Sequence, residues 1–278
     1  MKKLLLASTA LVMSAGVAAA DVALSGDAWM GLGYDDTAAD EVQMISRARV
    51  LFTLSGETST GLAFGASFRA DNAGAAAGGT AGSVFIEGEF GKLSMGDVSS
   101  GLEATWFRTR HIGVLENAGG SRATALGAGN LPAALYEYSI DGFKFAVSAG
   151  QFASGAQSYA VGASYTMDGY GIALGYENDG GGNEHILVSG QVNFDPVSIR
   201  AFAGQLRNGA TQEQYGIDIH ASFDDIGVQL RAKEDFAGNT HIGAGVTYDL
   251  GGGAMLGASV NDVQNGATTA DIGLSFSF

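Results

Sequence analysis

The stretch HIGAGVTYDL at residues 241–250 alternates large apolar side chains with small or polar ones at every second position. The last eight residues, DIGLSFSF at 271–278, repeat this alternation up to the end of the chain. A period of two residues is typical of a β-strand whose two faces meet different surroundings. Each stretch therefore predicts a strand with one apolar face and one face of small or polar residues.

Sixteen segments of this kind follow one another, and their connections alternate between short and long. Asp-Gly at 141–142 and 168–169 and Asp-Pro at 195–196 are typical tight turns, whereas the intervening loops are longer and rich in Gly, Asn and Asp. The strands are predicted at 22–34, 43–55, 61–71, 82–90, 92–97, 133–140, 143–151, 157–167, 170–177, 184–194, 197–206, 212–223, 226–235, 239–249, 253–262 and 269–278.

These features favour a barrel in a bilayer over a soluble sandwich. A sandwich would also bury one apolar face, but here the alternation continues to Phe278 without a capping segment. An even number of strands, with short turns at one end and longer loops at the other, is typical of membrane barrels. The fold class is therefore predicted as all-β, a sixteen-stranded antiparallel transmembrane β-barrel.

The composition excludes several classes of protein. The 278 residues include 44 Gly and no Cys, and the formal net charge is −15. Without Cys there is no disulfide scaffold, thiolate metal site or cysteine nucleophile. The acidic balance argues against a nucleic-acid partner, which needs a basic surface. A mean hydropathy of +0.14 is high for a soluble chain, which again points to a membrane.

The first twenty residues have the pattern of a secretory signal peptide. Lys2 and Lys3 precede an apolar run, and small residues lead up to Ala20. We expect residues 1–20 to be removed between Ala20 and Asp21, leaving a barrel domain of residues 21–278 with a net charge of −17. The alternative, an N-terminal anchor helix, is disfavoured because the run is short and no stop-transfer charges follow it.

One connection is much longer than the others. About 35 residues at 98–132 lack sustained alternation but carry the apolar side chains Trp106, Phe107, Ile112, Val114 and Leu115. Because these side chains are unsuited to water and a wide barrel leaves a large lumen, we expect this long third loop to fold into the lumen. The alternative is a mobile external loop.

The chain resembles the general diffusion porins of Gram-negative outer membranes, in particular those of Rhodobacter-like purple bacteria. The segments that carry the resemblance are LSGDAWMG at 24–31, SRARVLFTLSG at 46–56, GLAFGASF at 61–68, FGKLSMGD at 90–97, LYEYS at 135–139 and DLGGGA at 249–254, with the terminal Phe278. The resemblance implies a homotrimer surrounded by outer-membrane lipid, with water-filled pores for passive diffusion of small hydrophilic solutes and ions. It also implies recognition of Phe278 by the outer-membrane assembly machinery, and no cofactor.

The resemblance places Arg47 and Arg49 in a basic pore wall at the constriction, with Arg69 following on the next strand. The phase of the alternation also points these arginines inward. This is the favourable direction, because an arginine facing lipid at the midplane would cost about 2–4 kcal/mol. Arg200, Arg231 and Lys233 also phase inward and complete the predicted basic wall.

Two features depart from the family pattern. Trp29 stands where the resembling porins carry another arginine of the wall. The loop, heavily acidic in the family, here carries a formal charge of +1, which disfavours a calcium site and predicts weaker cation preference or mild anion preference. Its charged residues are Glu103, Arg108, Arg110, Glu116 and Arg122.

Other functions find less support in the sequence. The four histidines, at 111, 185, 220 and 241, lack metal-ligand spacing, and no Ser/His/Asp order is specific, so an outer-membrane lipase or protease is a remote alternative. A substrate-specific channel would need a ladder of aromatic residues in the lumen, for which only Trp29, Phe85 and Phe202 are candidates. A plugged structural barrel would need bulky inward residues.

Three inward-phased carboxylates are expected to hold the loop to the wall: Glu87, Glu89 and Glu137.

Overall fold

The computed structural model describes residues 21–71, 82–115, 123–127, 129, 133–151 and 157–278. Its strands close into one sixteen-stranded antiparallel barrel in which each strand pairs with its neighbours along the chain. The strands are β1 (Asp21–Asp35), β2 (Val42–Glu57), β3 (Ala63–Asp71), β4 (Ser83–Gly88), β5 (Gly91–Gly96), β6 (Ala133–Ile140), β7 (Phe143–Ala149), β8 (Tyr159–Met167), β9 (Tyr170–Asn178), β10 (Glu184–Phe194), β11 (Val197–Asn208), β12 (Ala210–Phe223), β13 (Ile226–Glu234), β14 (Thr240–Gly251), β15 (Ala254–Val263) and β16 (Thr268–Ser277).

The pairing of the first and last strands removes both edges of the sheet. β1 and β16 pair from Asp27 opposite Ser277 to Asp35 opposite Thr269. Closure leaves no unpaired strand edge, the only form of sheet that a bilayer core tolerates. The predicted fold class is thus confirmed, and most strand bounds agree with the predicted ones to within two residues.

Acidic residues with positive φ form the tight turns at one end of the barrel. Asp141 and Asp168 have φ of 49° and 48°, and the glycines that follow them have φ of 82° and 83°. Two successive residues in the left-handed region form the type I′ turn, whose twist matches that of the flanking strands. The Asp-Gly pairs therefore give the sharp reversals that the sequence predicts.

The outer face of the barrel is apolar. Ile172, Leu174, Ile242 and Ile272 are each more than half exposed, and their sequence neighbours point inward. An exposed apolar band of this extent fits contact with hydrocarbon and not with water. In the part of the chain that the structure describes, no helix has the length and apolar character needed to cross a bilayer.

β4 is shorter at both ends than the predicted strand. The sequence predicts a strand over 82–90, but the observed strand ends at Gly88, since Glu89 and Phe90 form the turn into β5. The predicted signal peptide, residues 1–20, lies outside the described residues and stays a prediction, as does its cleavage site.

Candidate functional site

The long loop after β5 lies inside the barrel against its inner wall. Leu102, Ile112 and Leu115 are each at most 1% exposed, although they belong to no strand. Trp106 packs with Leu102, Ala123 and inward-facing side chains of β10 and β11. The loop therefore carries its own apolar contacts to the wall, as the sequence predicts.

The wall makes room for these contacts with glycines. A Cβ atom placed on Gly175 of β9 would lie 2.5 Å from Leu102 Cγ, and one on Gly243 of β14 would lie 2.5 Å from Ile112 Cδ1. Further round the barrel, a Cβ atom placed on Gly257 of β15 would come too close to Val114, and one on Gly31 of β1 would come too close to Leu115. These glycines form a track along which the loop reaches from β9 to β1, and alanine at these positions would displace it.

Polar side chains of the wall hold the loop backbone along the same path. Ser148 Oγ accepts from the Gly101 N–H at 2.9 Å, and Ser189 Oγ accepts from the Phe107 N–H at 2.9 Å. Gln229 Oε1 accepts from the Gly113 N–H at 2.6 Å. Because a loop packed against a wall must satisfy its backbone groups, these side chains replace the water that the loop has given up.

The strongest single anchor is an ion pair between the loop and β12. Asp218, with no exposed surface, accepts from the guanidinium and from the backbone N–H of Arg110. The distance from Arg110 Nη2 to Asp218 Oδ1 is 2.7 Å, and that from the backbone nitrogen to Oδ2 is 3.0 Å. Arg110 is thus neutralised by its partner, so the formal charge of the loop overstates its positive field.

Three of the predicted wall cations lie behind the loop. Arg200 donates to the carbonyl of Arg108 at 2.9 Å, and Arg231 donates to the carbonyl of Arg110 at 3.3 Å. Arg231 and Lys233 are only 3% and 2% exposed. The alternation correctly gives their inward direction, but the loop covers them, so they do not share a surface with the arginines of β2 and β3.

Those arginines pair with aspartates of β1 and β3, and their exposure decreases from 36% for Arg69 to 22% for Arg49 and 8% for Arg47. Arg47 pairs with Asp27 at 2.9 Å, while Arg49 and Arg69 both pair with Asp71, at 3.3 Å and 2.7 Å. The two aspartates were missed by the sequence reasoning, although both share the inward phase of β1 and β3. Asp27 and Asp71 thus offset much of the arginine charge on this wall.

The remaining charged loop residues are less tightly held. Burial raises the pKa of the Glu103 carboxyl, aided by the nearby Glu177 and opposed by a hydrogen bond from the Ser100 N–H and by Arg108. The Arg108 guanidinium stacks over the ring of Trp106, 5.2 Å from its centroid. The other two predicted loop charges, Glu116 and Arg122, lie outside the described residues.

The carboxylates expected to anchor the loop have other partners. Glu137 pairs with Lys144 at 2.7 Å, and Glu87 lies 4.0 Å from Lys92. The observed carboxylate anchors are Glu177 and Asp218, which the sequence analysis does not single out. Their only sequence signal is an inward phase, which many other residues share.

The histidines and carboxylates of the described residues form hydrogen bonds with one another and with the loop. Among them, no group of three His, Cys, Asp or Glu side chains is placed to hold a metal ion. Ser100, Glu177 and His185 come together, but the serine hydroxyl donates to the carboxylate and not to the imidazole. A nucleophilic triad needs the hydroxyl on the imidazole, so this cluster is a structural contact.

An edge-free sixteen-stranded barrel with an apolar outer band, charged inner wall and inward-folded loop defines a channel-type membrane barrel. The family model described as "Gram-negative porin" matches residues 7–268, and the chain belongs to this family. It is 33% identical to a porin of Rhodobacter capsulatus over 93% of this chain and all of that protein.

Solved porin structures agree with this family. One, a porin refined at 1.8 Å resolution, matches with a TM-score of 0.78 and 30% identity over 92% of this chain and the whole of that one. A multiply substituted variant of Rh. blastica porin matches with the same TM-score at 21% identity, over 92% of this chain and all of that one.

Proposed function

We propose that the protein is a general diffusion porin, through which small hydrophilic solutes and ions pass down their gradients. The observation that carries this proposal is the course of the loop along the inner wall. Its described contacts run along this wall from β7 to Gly31 of β1, while Asp27 on β1 and Arg69 on β3 remain 47% and 36% exposed. A solute path between the loop and this charged wall fits both facts.

The charges along this path support weak selectivity. Asp27 and Asp71 offset most of the arginine charge, and Asp218 neutralises Arg110. Because charged rings in the lumen set ion preference, the arginines of the wall together with the cations of the loop support a mild anion preference. Acidic vestibules on a chain of this net charge would oppose it.

The test is the current through single channels of the refolded protein in a planar bilayer. An open pore gives current steps proportional to the conductivity of the KCl solution, and a KCl gradient then gives the sign of the selectivity. Membranes that show no current steps would contradict the open pore. A reversal potential that indicates strong cation selectivity would contradict the proposed mild anion preference.

A substrate-specific channel is the less supported alternative. Of the three candidates for an aromatic ladder, Phe202 is 5% exposed and packed beneath the loop. Trp29 and Phe85 are each stacked with a cation of the wall, Arg47 and Lys92. Block of the current by sugar at low concentration would favour a specific channel and contradict general diffusion.

The proposal includes the setting in which such a pore works. We place the barrel in the outer membrane of a Gram-negative cell as a homotrimer, after export and removal of residues 1–20. Phe278 supports recognition by the assembly machinery, since its side chain is 77% exposed while its backbone N–H donates to the Gly26 carbonyl at 3.0 Å. Cross-linking in membranes tests the trimer, and N-terminal sequencing of the mature protein tests cleavage after Ala20.

A further inference from the structure

A buried carboxylate joins the two ends of the loop. We call residues 98–102 the first stem and residues 123–127 the second stem. Glu177 on β9, 1% exposed, accepts from the Ser100 hydroxyl in the first stem and from the Leu126 N–H in the second, the latter at 2.7 Å. The same carboxylate lies 3.2 Å from Nδ1 of His185 on β10, which has no exposed surface.

Gln214 on β12 holds the second stem through both of its amide atoms. Its Oε1 accepts from the Thr124 N–H at 2.9 Å, and its Nε2 donates to the Thr124 carbonyl at 2.7 Å. These two backbone partners fix the orientation of the amide, because a flipped amide would set donor against donor and acceptor against acceptor. The second amide proton of Gln214 then points to His185 Nε2, 3.2 Å away.

This orientation determines the state of the imidazole. Since the Gln214 amide nitrogen can only donate, His185 Nε2 must accept, and the single ring proton lies on Nδ1, facing the Glu177 carboxylate. A proton added at Nε2 would face the amide protons of Gln214. The ring has no exposed surface into which it could turn, so the conflict is relieved when the amide turns over, which breaks both bonds to Thr124.

We propose that Glu177, His185 and Gln214 are the positioning residues of the constriction loop, and that they clamp its second stem fully only while His185 is neutral. Protonation of His185 releases Thr124, whereas the hold of Glu177 on Ser100 does not depend on that proton. The inference rests on the proposed function in one respect: the loop must narrow the pore for its position to affect the current.

Several groups face the clamp and enter any pH profile. Glu177 faces His185 directly, the Phe236 ring from the β13–β14 loop meets it edge-on at 5.4 Å, and Glu103 interacts with Glu177 from the loop itself. A titration of current alone would mix these groups. The test therefore follows one stem at a time and uses variants that remove one proton site.

The experiment is amide hydrogen exchange of the refolded protein, read by mass spectrometry on peptides from each stem. Exchange is followed from about pH 8 down to about pH 4, so that neutral and acidified samples are compared. After correction for intrinsic exchange rates, protection at the Thr124 N–H of the second stem should fall by about tenfold on acidification, because Gln214 no longer accepts from it. Protection of the first stem should not change with it.

The variant H185N isolates the imidazole. The asparagine amide can still donate to Glu177 but does not titrate in this range. The fall in second-stem protection on acidification, called the step below, should therefore vanish. H241N is the matched control, since His241 also bonds a carboxylate, that of Asp235 at 2.8 Å, and no hydrogen bond among the described residues joins it to either stem. It should keep the wild-type step.

If H185N does not refold, Q214M gives the same test. It removes the amide that conflicts with the added proton, so the second stem should be poorly protected at every pH and show no step. A step that persists in either variant, or a flat wild-type profile, overturns the proposal. Hydrogen exchange needs no current, so these outcomes remain separate from a failure of the pore itself.

Discussion

Replacing Asp218 by asparagine should loosen the middle of the loop while leaving the barrel folded. Asp218 is fully buried and accepts from Arg110 through two guanidinium nitrogens and the backbone N–H. Breaking a fully buried ion pair costs about 3–5 kcal/mol, whereas an exposed pair contributes about 0–1 kcal/mol. Arg110 keeps 25% of its side chain exposed to the lumen, so the expected cost is intermediate.

We expect D218N to weaken this anchor by about 2 kcal/mol, which changes the ratio of attached to released loop by about 30-fold. The released Arg110 would also add a positive charge to the lumen. Two measurements check this: hydrogen exchange of a peptide spanning residues 107–112 should accelerate, and the reversal potential in a KCl gradient should move towards anion selectivity.

The control is D27N, which removes from β1 the carboxylate that pairs with a wall arginine. Asp27 pairs with Arg47 and is 47% exposed, so this variant should shift the reversal potential without changing exchange in the loop. The double variant D218N/R110Q should add to the D218N loss only that of the bond from Arg110 Nη2 to the Ser198 carbonyl at 3.0 Å, because the ion pair is already removed. Wild-type exchange in D218N, or fully additive losses in the double variant, would refute the assignment of this pair as the main anchor.

Three further changes have defined outcomes. D71N removes the shared partner of two wall arginines, so the reversal potential should shift towards anions by more than it does in D27N. G175A should speed loop exchange and raise the noise of the open channel, whereas G190A should do neither, since an added Cβ there meets only one backbone oxygen at 3.3 Å. Burial alone would raise the pKa of Asp235, but hydrogen bonds from His241 and two backbone N–H groups hold it at about 2, below the usual 3.8. Its contribution to stability is thus complete above pH 3.8 and lost as the pH falls towards 2, and D235N should unfold less steeply with acid over that range in a denaturation series.

The sequence by itself determined the strands, their number and the face that each residue occupies. This was possible because a two-residue period is a local property: HIGAGVTYDL at 241–250 has an inward and an outward face whatever its neighbours are. Asp141 and Asp168 marked their turns for the same reason, since an Asp-Gly pair carries its own backbone preference. The apolar residues at 106–115 likewise showed that the loop could not remain in water.

Only the tertiary structure decided what each inward residue meets. Arg47 and Arg231 have the same phase and charge, yet Arg47 pairs with Asp27 of β1 whereas Arg231 donates to the Arg110 carbonyl of the loop. Arg110 reaches Asp218 across 108 residues, and Ser100 reaches Glu177 across 77. Such pairings depend on barrel closure and on the course of the loop along the glycine track, because contacts between distant segments leave no periodic trace in either segment.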